Sequence, residues 1–191
     1  MTSGLRKTIV RQFGRPTGLV GRLVGLVMAT RYSNRERNRR TIELLDIQPD
    51  DRVLEIGFGP CLAIEMAARL ARSGCVVGVD HSEVMLRQAS RRNRAVIDAG
   101  RVQLHRASAD ALPSFTERFD KLLASNVHMI TRTGRRVAIT HQSRKRAATD
   151  ADSARDAEHI TSLRAAGFTD VRIETLERKP VNAACGLAWA P

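Results

Sequence analysis

Residues 52–62 read RVLEIGFGPCL. Val53, Leu54 and Ile56 form a short apolar run around Glu55, and the run breaks on Gly57-Phe58-Gly59-Pro60. A helical pattern then begins, with Leu62, Ala63, Met66, Ala67 and Leu70 at helix-face spacing. A buried strand that stops on glycines and feeds a helix makes a ligand cradle. Glycine lets backbone approach a ligand, and the first N–H groups of the helix face it. An ordinary strand-to-helix turn also uses glycine, so the rest of the chain decides between the two.

Downstream, the same alternation repeats. Strands are expected at 52–56, 75–79, 102–106, 119–125 and 136–140. Asp80 closes the second, and Ser82 caps the helix that follows it. Strands alternating with helices mean an α/β protein with a mostly parallel sheet and helices on both faces. The helix after the glycines is expected to end near Ser73-Gly74, with Gly74 as its C-cap. The tail reads differently: a helix over 159–166, then strands at 171–176 and 181–189 around Lys179-Pro180, an antiparallel hairpin closing the sheet. Residues 141–158 are polar and read as partly disordered.

The N-terminal segment stands apart. Ten Lys and Arg residues in positions 1–40 face one acid, Glu36, and supply most of the formal charge of +12. Residues 17–29 read as a glycine-weakened amphipathic helix. Ser33 and Glu36 have capping-box spacing for a helix over 34–46, with Ile42 and Leu45 inward. The domain division expected is therefore 1–48, a basic helical segment or lid, and 49–191, the α/β domain. An excess of this size fits an anionic partner, whether nucleic acid, an anionic membrane surface or an acidic ligand, and equally a solvated face. Cys61, Cys75 and Cys185 lack metal-ligand spacing and cannot all pair, so no metal site and a reducing, cytoplasmic setting are expected. No apolar run reaches the roughly 20 residues that span a bilayer.

Glu55, Gly57 and Gly59, then Asp80, then Asp110 fall at three successive strand ends. In an open parallel sheet those loops meet at one edge. A carboxylate after the second strand can accept hydrogen bonds from both hydroxyls of a ribose, and Asp110 can accept from a purine amine. A nucleoside-containing cofactor suits this set. The dinucleotide fingerprint G-x-G-x-x-G fails at Leu62, and the P-loop pattern is absent.

VLEIGFGPCLAI (53–64), VVGVDHSEVML (76–86), ASADALP (107–113), FDKLLASNV (119–127), RRVAIT (135–140) and LRAAGF (163–168) together resemble the class I S-adenosylmethionine-dependent methyltransferases of small-molecule type. Residues 11–29 resemble the leader of bacterial members. The resemblance implies a Rossmann-like fold with an N-terminal helical lid, and S-adenosylmethionine as cofactor. It places Glu55, Gly57, Phe58 and Gly59 at the methionine part, Asp80 on the ribose, and His81, Ala109 and Asp110 about the adenine. Asn126 falls beside the transferring methyl group. It names no general base; His128 is the nearest histidine, and a lone loop histidine is more often incidental. The expected activity is methyl transfer to a small-molecule or lipid-like acceptor. The alternatives are a nucleic-acid methyltransferase, suggested by the charge, and an inactive methyltransferase fold that binds a partner. Self-association is also left open.

Two departures from the family pattern matter. Cys61 stands where glycine is usual, and either crowds the cofactor or holds a strained backbone if φ is positive there. Only eight residues, 127–134, link Asn126 to Arg135, fewer than the 10–12 or more of a helical crossover. Extended, they reach roughly 26 Å. The strand order is thus expected to survive without a covering helix, leaving apolar sheet surface exposed or covered by something else.

Overall fold

A computed structural model of the chain describes Leu23 and residues 32–125, 134–142, 150–176 and 183–189. The basic stretch 17–29, Asn126, His128 and Lys179-Pro180 lie outside these, apart from Leu23. The described helices are α1 (Tyr32–Leu45), α2 (Leu62–Leu70), α3 (Glu83–Arg92), α4 (Arg94–Asp98) and α5 (Asp150–Ala165). The strands are β1 (Arg52–Ile56), β2 (Cys75–Asp80), β3 (Val102–Arg106), β4 (Phe119–Ser125), β5 (Gly134–Gln142), β6 (Thr169–Leu176) and β7 (Ala183–Trp189).

The seven strands form one sheet in the order β3-β2-β1-β4-β5-β7-β6. β1 to β5 pair in parallel, and β7 runs antiparallel between β5 and β6. Side chains alternate between two cores, as a strand's period of two requires. Val53, Val76, Leu123 and Ala138 face the core under α1, α2 and α3. Leu54, Ile56, Val77, Leu122, Val137 and Ile139 face the other, with Leu163 of α5 and Phe168. The sheet is thus covered on both sides, as parallel sheets are.

β4 and β5 pair in register from Phe119↔Gly134 to Ser125↔Thr140, so the short link does preserve the parallel neighbour. Of the two outcomes expected for that sheet face, exposure or cover by something else, the described residues show cover. Leu54, Leu122 and Val137 are essentially inaccessible. Leu112 and Phe115 of the β3–β4 link pack against this face, and the Phe115 ring meets Phe119 edge-on at 5.0 Å.

Four other expectations are corrected. Ser33 lies inside α1, which already includes Tyr32, so it is not a cap. α2 ends at Leu70, and Gly74 is not its C-cap. Gly74 is small for a tertiary reason: a Cβ there would sit 2.0 Å from the Asp51 carbonyl oxygen. Both Ser73 and Gly74 donate N–H to Pro49 O at 2.9 Å, which pins the turn before β1 to the turn before β2. Residues 150–158 are helical, and α5 is held to β5 by a buried contact of 3.1 Å between His141 Nε2 and Asp156 Oδ1. β5 extends two residues further at each end than 136–140.

α1 belongs to the same packed body as the sheet. Ile42 and Leu45 are buried, as expected of its inner face. The Thr41 and Thr140 hydroxyls meet at 2.6 Å, and Arg136 donates to Leu44 O at 2.6 Å while covering the Trp189 ring.

Candidate functional site

The parallel registers set the C-terminal ends of β1, β2, β3 and β4 side by side. Ile56 pairs with Val79 and Ala124, and Asp80 pairs with Arg106. β1 sits where the order reverses, since the chain leaves it towards β2 on one side and meets β4 on the other. Ligands of open α/β sheets bind at such a point.

Three of the five residues in the turn after β1 have left-handed backbone. φ is 76° at Gly57, 49° at Gly59 and 67° at Cys61. Gly57 N–H donates to Val79 O at 2.7 Å, which ties the turn to the end of β2. A Cβ added at Gly59 would meet nothing within 4 Å, so the turn opens on free space. Phe58 points the other way. Its ring is buried in the core against Gly78, leaving only its main chain for the loop surface.

Asp80 joins the two loops. Its Oδ2 accepts from Gly59 N–H and its Oδ1 from Ser82 N–H, both at 2.8 Å. Ser82 Oγ in turn accepts from Met85 N–H, capping α3 as expected. A carboxylate offers about four lone-pair sites, so Asp80 keeps two after these bonds. Two backbone donors are thus fixed by the side chain expected to touch a ribose.

Glu55 lies under this assembly and is buried. Burial pushes its carboxyl well above the usual carboxylate range; the Asp80 charge adds to this, and a hydrogen bond from the Ile64 backbone N–H opposes it. Its Oε2 is buried without a hydrogen-bond partner. Such an atom costs free energy until a donor reaches it. Because the folded-state pKa lies above the free value of 4.5, the folded protein retains a proton that the unfolded chain releases. Stability therefore falls as pH rises above about 4.5, until Glu55 ionises in the folded state as well. Glu55→Gln is expected to remove that part of the pH slope and to gain progressively on wild type as pH rises above about 4.5. Urea unfolding across a pH series checks this; parallel slopes for the two proteins contradict it.

Of the other residues expected at the site, His81 is exposed, with Nδ1 3.7 Å from Asp80 Oδ1. Ala107 N–H donates to Asp80 O at 3.1 Å, so the β3–β4 link leaves from beside Asp80. Ala109 is half-buried in that link and Asp110 exposed. A hydrogen bond from the Ser108 hydroxyl holds the Asp110 carboxyl below its usual range. Glu55, Gly57, Gly59 and Asp80 are thus joined by bonds and charge, His81 flanks them, and Asp110 stands on its own loop.

Cys61 resolves the first departure. Its side chain is fully buried in the core rather than projecting over the loop, and its sulfur accepts from Asn93 Nδ2 at 3.2 Å. Burial pushes the thiol well above its ordinary pKa, so it remains protonated. The strained backbone is the alternative that holds. A left-handed conformation costs a residue with a Cβ about 1–2 kcal/mol. Cys61→Gly recovers that and loses the buried sulfur; Cys61→Ala loses the sulfur and keeps the strain. Thermal denaturation is expected to rank Cys61→Gly above Cys61→Ala by about 1 kcal/mol, the reverse of an ordinary helix position. The reverse order would show that the strain is absent. The Asn93 contact was not foreseen; an asparagine between two basic helical stretches was its only trace in the sequence.

Residues 53–146 match a family model described as a methyltransferase domain. An uncharacterized methyltransferase, YdaC of Bacillus subtilis, is 28% identical over 184 residues, covering 88% of this chain and 98% of the relative. Over residues 53–146 the chain carries a methyltransferase domain. Solved S-adenosylmethionine-dependent methyltransferases and a cyclase share the fold at low identity. A SAM-dependent methyltransferase from Aquifex aeolicus superposes with a TM-score of 0.66 at 15% identity, covering 84% of this chain and 94% of its own. The magnesium protoporphyrin IX methyltransferase of Synechocystis, solved with bound SAH, gives 0.64 at 14%, covering 83% and 84%. The [4+2]-cyclase SpnF gives 0.64 at 17%, covering 83% and 81%. Fold likeness at this level leaves the chemistry to the site. The methyltransferase domain and the Bacillus subtilis relative make this an enzyme of methyl transfer. Among the described residues no helix is long and apolar enough to cross a membrane, and no cluster of His, Cys, Asp and Glu could hold a metal ion.

Proposed function

We propose that this methyltransferase uses Glu55, Gly57, Gly59 and Asp80 to hold S-adenosylmethionine and delivers its methyl group to a small-molecule or lipid-like acceptor. The observation that carries the reading is the Asp80 clamp. One carboxylate fixes the Gly59 turn and the start of α3 while keeping two lone-pair sites free, beside open space over Gly59. The orphaned Glu55 Oε2 is a second point of fit. A cationic amine brought near it favours the ionised form that burial opposes.

When bound, the cofactor supplies a methyl group already activated on a sulfonium. The chain's share is then chiefly positioning. The left-handed turn keeps side chains off one wall. Asp80 orients both loops through backbone N–H groups. The main chain at Phe58 and the β3–β4 link with Ala109 and Asp110 line the approach, and His81 flanks Asp80. Asn126, which follows β4 directly, is assigned to the methyl end. No described residue is assigned as an obligatory base, in keeping with transfer that rests on proximity.

For the acceptor, support comes from the Synechocystis neighbour, whose name gives a porphyrin, a small apolar-bodied molecule. The formal charge of +12 favours a second reading, methylation of nucleic acid. The aromatic content of 4% weighs against it, because single-stranded targets are held largely by stacking on aromatic rings. A transfer assay with methyl-labelled cofactor separates the two. Label is expected in the small-molecule and solvent-extractable fractions of a lysate. Label confined to RNA or DNA would move the assignment to the second reading, and none in any fraction would favour an inactive binding protein.

A further inference from the structure

Away from the strand-end cleft, a cavity of about 320 Å³ opens between α2 and the α3–α4 junction. Its volume falls at the lower end of the range for small-molecule pockets, about 300–1,000 Å³. Arg69, Arg72, Arg92 and Arg101 line it against a single carboxylate, Glu65. Two of the four are engaged. Arg69 pairs with Glu65 at 2.8 Å, and Arg101 donates to Ala68 O at 2.9 Å. Arg72 and Arg92 are exposed and have no ion-pair partner among the described residues. Ala68, Ala95 and Val96 supply an apolar wall.

Asn93 also lines this cavity and is 3% exposed. Its Nδ2 donates to Ala89 O at 3.0 Å and to Cys61 Sγ at 3.2 Å, while its Oδ1 receives no hydrogen bond. Two guanidinium groups with no ion-pair partner on a concave surface are what an anion-accepting wall looks like before it is filled; the Asn93 oxygen, an acceptor, takes no part in holding the anion. Planar guanidinium groups match the oxygens of a phosphate two at a time. A nucleic-acid backbone would need an extended basic track; this basic surface is concave and closed on one side by alanine and valine.

We propose that the cavity is a binding site for a small phosphate ester, with its phosphate on Arg72 and Arg92 and its apolar body on Ala68, Ala95 and Val96. The site is separate from the methyl-transfer cleft, so its test does not depend on the cofactor.

Calorimetric titration of the full chain with phenyl phosphate, inorganic phosphate and a short single-stranded RNA is the experiment. Phenyl phosphate is expected to bind once per chain and more tightly than inorganic phosphate. The double variant Arg72→Ala/Arg92→Ala is expected to weaken it by about tenfold or more, as loss of charge-assisted contacts implies. Because both residues are exposed, the variant is expected to melt with wild type. Arg87→Ala/Arg94→Ala, which removes equal charge from outside the cavity, is expected to leave binding within about twofold. Three results would overturn the proposal: no saturable binding of phenyl phosphate, equal weakening by both double variants, or Arg72- and Arg92-dependent binding of the RNA alone.

Discussion

Asp80→Ala is expected to weaken S-adenosylmethionine binding by at least about a hundredfold, near 3 kcal/mol, and to destabilise the apoprotein as well. Two effects share the substitution. The first is internal: the N–H groups of Gly59 and Ser82 lose their acceptor. Hydrogen bonds to a charged group are worth about 1.5–3 kcal/mol each, so the loss removes a sizeable part of a stability of about 5–15 kcal/mol without abolishing folding. The second is at the cofactor, where the remaining lone pairs of the carboxylate disappear. Asp80→Asn separates them. One side-chain oxygen survives to accept from the backbone, so much of the stability should return while the affinity stays low. Calorimetric titration with the cofactor, beside urea unfolding of all three proteins, reads both quantities. Binding by Asp80→Ala within about threefold of wild type would detach the clamp from the cofactor and sink the site assignment. Removing the Asp80 charge should also ease the ionisation of Glu55, so the variant's stability is expected to depend less steeply on pH.

Asp80 illustrates what the sequence made legible. Its place after a buried strand was readable, because β1 and β2 are short runs rich in valine, leucine and isoleucine, bounded by turn signals. Those runs announced the sheet. The glycine turn was readable because glycine and a left-handed backbone go together; strain at Cys61 was one of the two alternatives that its place in the pattern offered. The two bonds inside the clamp were not readable, because they join Gly59, Asp80 and Ser82 across loops that meet only after β1 and β2 pair. α5 was under-read for a different reason. DADSARDAE (150–158) carries no apolar stripe, and its anchor is the 3.1 Å contact of Asp156 with the buried His141 rather than a hydrophobic face. Gly74 was misread because a local rule, glycine ending a helix, competed with a tertiary one, glycine beside a carbonyl. The arginine cavity has no local signature at all. It gathers residues from α2, the α3–α4 junction and the turn before β3, which only packing brings together.

Gly78→Ala is the second substitution with a large expected effect, and it acts on the site from beneath. Gly78 is in the middle of β2 and pairs with Glu55 on β1 and Leu104 on β3. A Cβ there would lie 2.2 Å from Ile64 Cδ1, 2.8 Å from Phe58 Cδ1 and 2.9 Å from Leu104 Cδ2. Leu104 is only partly buried and can swing away. Ile64 and Phe58 are buried on all sides, so their side chains have little room to give. Overpacking of this kind costs about 1–3 kcal/mol. The added methyl should therefore lower stability by that amount, and displacement of Phe58 should also shift Gly57 and Gly59, which flank it. Cofactor affinity is expected to fall by about tenfold or more even at temperatures where the variant is fully folded. Phe58→Leu in the Gly78→Ala background supplies the decisive comparison, because a smaller side chain makes room for the methyl. Recovery of both stability and affinity in the double variant is the expected outcome. Recovery of stability alone would mean that the turn holds its shape without the ring beneath it. The left-handed residues and the Asp80 clamp would then be sufficient by themselves.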